Sequence, residues 1–510
     1  MTETLDNLID RPEEISKVHV HIPYPNDSRT QWRQWLASIS ATLSMVAVGT
    51  VYGWTTTMLT RLEKNKDVPL QITSDEGSWI VSIAVITSMA GSFIGACLAD
   101  LFGRKKCLLS TSVFFISGWI IVIFANNVIW LYVSRVILGI GVGMSYTTNP
   151  MYVSEVADIN IRGALGTLIA VNVFTGSLIT CSVGPFVSYN TLGIVLLSIA
   201  VIFVVSFVFF PESPYYLAMK DQEGEALQAI MYFKGCSNDE ARRELDIIIK
   251  NINENQINSE DWRMKTKRLL SHNNRKAFVM ILGLIVTQQL SGNFTTMQYL
   301  SKFFDAANIG INSDYATIIV FAVGLVSGGV STITVEKAGR RPLLILSALF
   351  CSITLGILAV YLLLNSRKID LTAVNLLPVL LVILFVIAYQ VGIGTLPNAL
   401  IGELFPTSAK SIAGAAITIS DGVLGFVVSK LYQIIGDALG EHYVYFFFGG
   451  FCFVAFVFIL YYIPETKNKS FGEIQEELAN SCVKFSVKKC WRSSENDHRT
   501  RGGNSDDRIV

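Results

Sequence analysis

Residues 287–299, Thr-Gln-Gln-Leu-Ser-Gly-Asn-Phe-Thr-Thr-Met-Gln-Tyr, interrupt a long apolar run that extends over residues 277–304. The run has about the length that a helix needs to cross a bilayer. The adjacent amides of Gln288 and Gln289 therefore lie at a depth where an unpaired amide costs several kcal/mol. The sequence predicts that a polar environment meets them within the membrane.

Polar side chains occupy one broad side of this segment when it is drawn as a straight helix with about 3.6 residues per turn. The other side carries Leu290, Phe294 and Met297. Because the polar side has amides and hydroxyls but no charge, we predict that it faces a water-filled cavity and a neutral ligand rich in hydroxyl groups. The alternative is hydrogen bonding between packed helices, which Ser and Thr commonly provide. The polar side comprises Gln288, Gln289, Ser291, Gly292, Asn293, Thr295, Thr296, Gln298 and Tyr299.

The composition is that of a polytopic membrane protein. Of the 510 residues, 51% are hydrophobic and only 16% are charged, well below the share of charged residues in soluble globular proteins. The formal net charge of +0 argues against a nucleic-acid binder. Residues 1–34 lack an apolar core, so we expect no cleavable signal peptide. The eight cysteines form no disulfide framework, and we interpret all of them as free thiols.

Apolar stretches of spanning length occur in two groups of six, separated by a polar gap. Lys and Arg collect in alternate connections, which predicts that these connections and both termini are cytosolic. The stretches are residues 36–60, 77–99, 107–125, 129–153, 164–186, 190–210, 277–304, 314–335, 342–364, 374–402, 411–436 and 442–463. We therefore predict a cytosolic N-terminal segment (1–35), a six-helix bundle (36–210), a cytosolic linker with short helices (211–275), a second six-helix bundle (276–464) and a cytosolic tail (465–510).

Three charge patterns occur once in each half and in the same order. The segment 100–105 is matched by 336–341, Glu155 with Arg162 is matched by Glu403 with Lys410, and Pro-Glu-Ser at 211–213 is matched by Pro-Glu-Thr at 464–466. Three matches in one order indicate a duplicated six-span unit. The predicted fold class is therefore an all-α membrane protein with twelve transmembrane helices in two pseudo-symmetric six-helix bundles and a site between them.

The repeated patterns all lie at the predicted cytosolic edge, where acids and bases on neighbouring helix ends can pair. We predict a cytosolic salt-bridge network that closes the inner mouth and must break when the two bundles rock. The alternative is that these bases only satisfy the positive-inside rule. The predicted network consists of Asp100, Arg104, Glu155, Arg162, Glu212, Glu336, Arg340, Glu403, Lys410 and Glu465.

Motifs of small and charged residues cover most of residues 36–475. The first half contains Gly95-x4-Asp100-x2-Gly103-Arg104-Lys105, Arg135 with Gly139, Gly141 and Gly143, Pro150-Met-Tyr152-Val-Ser-Glu155 with Arg162-Gly163, and Pro211-Glu-Ser-Pro214. The second half contains Gln288-Gln289-Leu-Ser-Gly292, Gly339-Arg340-Arg341, Gly394-x2-Pro397-x5-Glu403-x-Phe405-Pro406, and Pro464-Glu-Thr-Lys467. Together they resemble the sugar porter family of the major facilitator superfamily. The resemblance implies the major facilitator fold, a central hexose or disaccharide site and alternating access.

The implied site departs from the usual pattern of hexose carriers. Phe294 stands where the family usually has Asn, with Asn293 beside it, and Asn398 replaces a tryptophan of the tenth span. The usual Asn-Trp pair of the eleventh span is Asp421-Gly422. These changes imply a wider, more polar site and resemble the trehalose-transporter branch of arthropods. The candidate substrate-binding residues are Gln288, Gln289, Asn293, Asn398, Asn172 and Asp421.

Energy coupling depends on acids inside the membrane. Proton-coupled relatives carry an acid in the first span opposite the fourth-span arginine, but residues 36–60 contain none. We therefore predict downhill, uncoupled transport, with Arg135 structural. Asp421 leaves three roles open: it accepts sugar hydroxyls, pairs with a base that the sequence does not identify, or binds a proton. The last role would support proton-coupled transport.

The predicted protein is a plasma-membrane sugar facilitator whose partners are a small sugar and the lipid bilayer. No P-loop, metal motif or nucleophile motif is visible, so we predict neither an enzyme nor a cofactor. Gly392, Gly394 and Pro397 are predicted to interrupt the tenth span, either as a gating bend or for helix packing. A non-transporting sugar sensor and an organic-ion carrier are the rival functions. The sequence identifies no protein partner.

Overall fold

The computed structural model describes residues 28–257, 272–307, 309–397, 400, 404 and 407–467. Within these residues the fold is all helical, and twelve helical segments are long and apolar enough to cross a membrane. The predicted fold class of twelve spans in two six-helix halves is confirmed. Among the predicted site residues, Asn398 and Glu403 lie outside the described part of the chain.

The first half contains six spanning helices, followed by three short helices of the linker. The spanning helices are α1 (Ser28–Glu63), α2 (Ser74–Phe102), α3 (Arg104–Ile123), α4 (Val128–Val156), α5 (Ile159–Val183) and α6 (Tyr189–Phe207). The linker helices are α7 (Pro214–Met219), α8 (Glu223–Lys234) and α9 (Asn238–Ile257). We call the end of the bundle that carries α7–α9 the linker end, and the end at which α1 finishes the opposite end.

The second half repeats the arrangement with two of its six spans broken. Its helices are α10 (His272–Leu290), α11 (Asn293–Gln298), α12 (Leu300–Ala307), α13 (Ser313–Ala338), α14 (Arg340–Ser366), α15 (Leu377–Val391), α16 (Thr407–Leu439) and α17 (Glu441–Tyr462). The two halves contact each other along α2 with α16 and along α5 with α13. Each of these interfaces pairs the second or fifth span of one half with the fifth or second span of the other, as the duplicated unit predicts.

The seventh span is not the straight helix that we expected. Helix α10 ends at Leu290, and Gly292 adopts a left-handed conformation with φ +73° before α11 begins. Left-handed backbone favours glycine because a Cβ would be strained there. The polar side chains beyond the break, including Thr295 and Gln298, are buried, whereas Gln288 and Gln289 before it are partly exposed. The prediction of one continuous polar face was therefore wrong.

The tenth span is interrupted, as the glycines predicted. Helix α15 ends at Val391, and residues 392–395 form turns before a further helical residue pair at 396–397. The backbone N–H of Gly394 donates to Tyr389 O over 2.8 Å, and that of Leu396 donates to Gly392 O over 3.0 Å. The seventh and tenth spans therefore both break inside the C-terminal half.

The linker helices are attached to the N-terminal half. Gln34 on α1 exchanges two hydrogen bonds with Asp158 at the corner between α4 and α5, each 2.9 Å long. Lys234 on α8 forms ion pairs with the same Asp158, at 3.0 Å, and with Glu244 on α9. These contacts join the linker to α1 and to the α4–α5 corner.

Candidate functional site

Gln288 and Gln289 occupy the last turn of α10, immediately before the break at Gly292. Gln288 Nε2 donates to the carbonyl oxygen of Gly394 over 3.2 Å, so it reaches the interrupted part of the tenth span. Gln289 Nε2 donates to Asp421 Oδ1 on α16 over 2.6 Å. Both side chains are partly exposed and face neighbouring helices of their own half. The structure thus brings together three of the predicted substrate-binding elements: both glutamines and Asp421.

Asp421 has an amide as its recorded partner, not a base. The carboxylate is partly exposed on α16, and its hydrogen bond comes from Gln289. Among the described side chains, no lysine, arginine or histidine forms an ion pair with it. A hydrogen bond from one amide leaves acceptor capacity on the second carboxylate oxygen. The carboxylate can therefore accept further hydrogen bonds from a ligand.

Two tyrosines of the N-terminal half face Asp421, and the sequence analysis did not select them. Tyr52 on α1 and Tyr146 on α4 lie near each other, and both lie within electrostatic reach of Asp421. Tyr146 is 41% exposed although it belongs to a spanning helix. A tyrosine inside an apolar span that also holds Ser and Thr carried no distinctive signal. Its exposure depends on how the helices pack, which the sequence alone does not show.

The segment after the break closes against α1. The Phe294 ring meets the Tyr52 ring edge-on, with centroids 5.4 Å apart, and Thr56 Oγ1 donates to the Met297 carbonyl oxygen over 2.9 Å. Asn293 is only 9% exposed, and its Oδ1 has no hydrogen-bond partner among the described residues. A buried amide oxygen without a partner is costly. It is therefore a candidate acceptor for a ligand hydroxyl.

Asn172 is engaged within the first half. Its Nδ2 donates to Thr42 Oγ1 on α1 over 2.8 Å and to the Thr42 carbonyl oxygen over 3.3 Å. The side chain is partly exposed, so its Oδ1 keeps acceptor capacity. Asn172 thus joins α5 to α1 within the N-terminal half.

Arg135 is fully buried inside the N-terminal half without a carboxylate partner among the described residues. Its guanidinium lies over the Trp54 ring, 4.2 Å from the centroid, and Nη1 donates to the Val51 carbonyl oxygen over 3.2 Å. An aromatic face and a carbonyl dipole stabilise the cation without neutralising it. Both partners belong to α1, so Arg135 joins α4 to α1.

Three of the residues predicted for the charge network, Asp100, Arg104 and Glu155, form ion pairs at the linker end of the first half. Arg104 Nε donates to both carboxylate oxygens of Glu155, at 3.1 Å each, and Nη1 contacts Asp100 Oδ1 at 3.3 Å. The Ser213 hydroxyl donates to the same Glu155. Arg104 is 4% exposed, so this pair is far better shielded from water than an ordinary surface ion pair. The network joins α2, α3, α4 and the start of the linker.

Glu212 and Glu465 have equivalent structural roles in the two halves. Glu212 Oε1 accepts a hydrogen bond from the backbone N–H of Lys105 at 2.8 Å, in the first turn of α3. Glu465 accepts from the backbone N–H groups of Arg340 and Arg341, at 3.0 and 3.1 Å, in the first turn of α14. A carboxylate at a helix N-terminus satisfies unpaired N–H groups and the helix dipole. The Pro-Glu-Ser and Pro-Glu-Thr motifs are therefore helix caps.

Arg162 does not pair with Glu155, although the two are seven residues apart. Its exposed guanidinium donates to the Ala157 carbonyl oxygen over 3.2 Å, because it lies on the first turn of α5 beyond the corner at Asp158. Glu155 is paired with Arg104. The side chains of Glu336, Glu403 and Lys410 lie outside the described part of the structure.

Comparison with known proteins agrees with this arrangement of helices. The family model described as sugar (and other) transporter matches residues 36–478. The chain belongs to this family. A facilitated trehalose transporter of Bombyx mori is 28% identical to this family member over 89% of the chain and 90% of its own length, and one of Apis mellifera ligustica is 27% identical over 94% and 95%. The chain spans only half the length of another such relative, from Drosophila virilis.

Solved structures support the fold of this sugar-transporter family member. A structure of a proton:xylose symporter superposes with a TM-score of 0.70 at 20% sequence identity, covering 88% of this chain and 99% of the other. An inward-open structure of the xylose transporter from E. coli gives a TM-score of 0.70 at 20% identity over 87% and 98%. At this identity the likeness concerns the fold alone.

Proposed function

We propose that this protein carries a neutral sugar, a hexose or a disaccharide such as trehalose, across the membrane by alternating access. The observation that carries the proposal is the contact of Gln289 with Asp421, beside the contact of Gln288 with Gly394. These uncharged amides and a carboxylate lie where two broken spans meet. Such groups bind hydroxyl-rich ligands and provide no strong site for an anion. Membership of the transporter family supports the same function.

The substrate-binding residues of the proposal come from both halves. Gln288, Gln289 and Asp421 belong to the C-terminal half, and Tyr52 and Tyr146, within electrostatic reach of Asp421, belong to the N-terminal half. A sugar between them accepts hydrogen bonds from the amides and donates to the carboxylate, while the tyrosine rings cover its apolar faces. Asn293, Asn172 and Asn398 complete the proposed set.

The proposed transport mode is downhill uniport. Arg135 is stabilised by Trp54 and Val51 instead of by a carboxylate, so no described acid is available to exchange a proton beside it. Without such an exchange, a change in conformation moves no proton. The named trehalose relatives are facilitated transporters, which agrees with this mode.

Proton-coupled symport is the second candidate, and Asp421 is the observation that favours it. A carboxylate near mid-membrane with an amide partner and no described base can release and rebind a proton as the halves move. A non-transporting sugar sensor of the same fold is the third candidate. It would bind the same ligand without moving it.

We place the protein in the plasma membrane with the linker end and both termini in the cytosol. The support is the positive-inside rule: Arg104, Lys105 and Lys106, with Arg340 and Arg341, lie at the linker end. The opposite end is then extracellular. No protein partner is proposed.

Uptake of labelled sugar into vesicles that contain only the purified protein tests the proposal. We expect saturable uptake that stops at the outside concentration and is unchanged by an uncoupler. Competition by glucose, trehalose, and larger and smaller sugars identifies the substrate. Accumulation above the outside concentration that an uncoupler abolishes would replace uniport by symport, and binding without flux would identify a sensor.

A further inference from the structure

Two lysines of the C-terminal half hold carboxylates of the N-terminal half at the opposite end. Lys302 Nζ on α12 donates to Glu63 Oε1, in the last turn of α1, over 2.9 Å. Lys430 Nζ on α16 donates to Asp75 Oδ1, in the first turn of α2, over 2.9 Å. With the pair between Lys64 and Asp305, these contacts form what we call the opposite-end network: Glu63, Lys64, Asp75, Lys302, Asp305 and Lys430.

Lys302 inserts between helices of both halves. Its ammonium also contacts Ser74 Oγ at 3.0 Å and Gln433 Oε1 at 3.4 Å, and Gln433 Nε2 donates to the same Ser74 over 2.6 Å. The side chains of Lys302 and Glu63 are 23% and 18% exposed. Because water screens this pair poorly, removal of one partner leaves a partly buried charge and costs more than the loss of a surface ion pair.

Lys430 has three partners on the first turns of α2. Besides Asp75 it donates to Ser78 Oγ over 2.6 Å, and its ammonium lies over the Trp79 ring, 4.2 Å from the centroid. These contacts fix α16 against α2, which is one of the two long interfaces between the halves. The side chains of Lys430 and Asp75 are 17% and 74% exposed, and those of the third pair, Lys64 and Asp305, are 48% and 27% exposed. We therefore expect each of these two ion pairs to contribute less than Lys302 with Glu63.

Lys302 also has acidic neighbours within its own half. It shares a cavity of about 40 Å³ with Asp437 and Glu441, and its charge acts on the Glu441 carboxylate. The cavity also holds Gln433, whose amide donates to Asp437 Oδ2 over 2.7 Å. A partly buried ammonium that lost its partner would be costly, and these carboxylates can accept it without passage through lipid.

We propose that Lys302 is the switch of the extracellular gate. In the closed state it binds Glu63 of the N-terminal half, and in the open state it binds Asp437 and Glu441 of its own half. Lys430 leaves Asp75 in the same step, so α16 and α12 move away from α1 and α2. The assignment of this gate to a transport cycle rests on the proposed function, whereas the pairing itself does not.

A cysteine at position 60 reports the state of this gate. Thr56 and Thr60 on α1 and Lys64, directly after its last residue, follow one another at intervals of four residues, and the first and last of them contact the C-terminal half. Thr60 itself is 7% exposed. A membrane-impermeant thiol reagent added outside therefore reacts with Thr60→Cys only when the gate opens. The parent protein, with its native cysteines, gives the background.

Loss of a closed-state contact and loss of an open-state contact must change the external labelling rate in opposite directions. In the Thr60→Cys protein we expect Glu63→Gln and Lys430→Gln each to raise the external labelling rate about tenfold, the factor that corresponds to about 1.4 kcal/mol. Glu441→Gln weakens the open-state partner, so we expect it to lower the rate. Charge exchange in the double variant Asp75→Lys with Lys430→Asp is expected to restore the slow rate.

Lys368→Glu is the matched control, because Lys368 is an exposed base of the opposite end outside the network. We expect it to label at the parent rate. Equal rates for Glu63→Gln and the control would overturn the proposal, as would faster labelling of Glu441→Gln. Each variant is compared at equal surface abundance and with a monodisperse elution profile. Labelling needs no sugar, so a shifted rate in a protein without sugar flux would refute the proposed function and leave the switch standing.

Discussion

At the scale of single residues, the neighbours Gln288 and Gln289 have different tasks. Gln288 donates to a backbone carbonyl oxygen in the broken tenth span, whereas Gln289 donates to the Asp421 carboxylate on α16. Each amide oxygen remains available as an acceptor. The pair therefore joins the end of α10 to two other helices and still offers polar atoms to a ligand.

Replacement of Gln288 by alanine is expected to abolish saturable sugar flux in vesicles while leaving surface abundance near normal. The substitution removes both the proposed ligand contact and the hydrogen bond to Gly394, whose loss costs only about 1 kcal/mol of stability. Gln228→Ala is the matched control, because Gln228 is exposed on α8. Unaltered flux in Gln288→Ala would remove this glutamine from the site.

Replacement of Asp421 by asparagine separates the two roles of the carboxylate. The asparagine oxygen still accepts the hydrogen bond from Gln289, but the asparagine amide does not bind a proton near neutral pH. If Asp421 only accepts hydrogen bonds, we expect flux within about tenfold of the parent and equally insensitive to an uncoupler. If the parent protein accumulates sugar above the outside concentration and Asp421→Asn does not, Asp421 is a proton site.

At the scale of helices, the breaks and caps determine where polar groups lie. The break at Gly292 ends α10 just after the glutamines and directs α11 against α1. The carboxylates of Glu212 and Glu465 begin α3 and α14 in the same way in the two halves. Duplication is therefore visible in backbone capping as well as in the order of the spans.

Replacement of Gly292 by alanine is expected to lower the apparent Tm of the purified protein. Its left-handed backbone, φ +73°, disfavours a side chain by about 1 kcal/mol, and an added Cβ would also collide with the Phe448 ring. Gly328→Ala is the matched control, because a Cβ there meets no atom within 4 Å and lies within α13. An equal Tm for the two variants would contradict this account of the break.

At the scale of the whole molecule, the halves contact each other through two long interfaces, the packing of α11 against α1 and the opposite-end network. Met89 on α2 lies against Gly422 of α16, and Phe174 on α5 lies against Gly324 of α13. Apolar and small-residue contacts let helices tilt with few polar groups to re-pair. The charged contacts at the opposite end are therefore the ones that we propose to rearrange between the closed and open states.

The linker helices are expected to remain attached to the N-terminal half during such a movement. Burial alone would lower the pKa of Lys234, but its pairs with Glu244 and Asp158 outweigh burial and raise the pKa above the ordinary 10.5. Because the folded pKa is raised, this stabilisation is complete below the unfolded pKa and is lost only as the pH rises through the folded value. It is therefore constant between about pH 6 and 9.

Tryptic cleavage after Lys234, followed by mass spectrometry, measures this attachment. We expect Asp158→Asn to speed cleavage about tenfold, because it weakens the contacts to Lys234 and Gln34. The ratio of the cleavage rates of variant and parent is expected to stay constant between about pH 6 and 9. Asp246→Asn, an exposed position on α9, is the control. Equal cleavage of both variants would show that Asp158 does not hold the linker.

The sequence by itself determined the class, the number of spans and the duplication, and it singled out the two glutamines as site candidates. Span length, apolar composition and the positions of Lys and Arg are local properties, and a bilayer converts them directly into helices. The interruption of the tenth span at Gly392 followed from local backbone preferences in the same way. The break at Gly292 shortened the polar face that a straight helix would have.

Only the tertiary structure decided which groups meet. Gln289 and Asp421 are 132 residues apart, and Glu63 and Lys302 are 239 apart, so their contacts depend on how each helix is rotated and packed. Tyr146 and Lys302 look unremarkable within their own segments. A spanning helix forms from its own local sequence, because its backbone hydrogen bonds lie within the segment. Which polar side chains pair depends on contacts between helices, and no single segment determines these contacts.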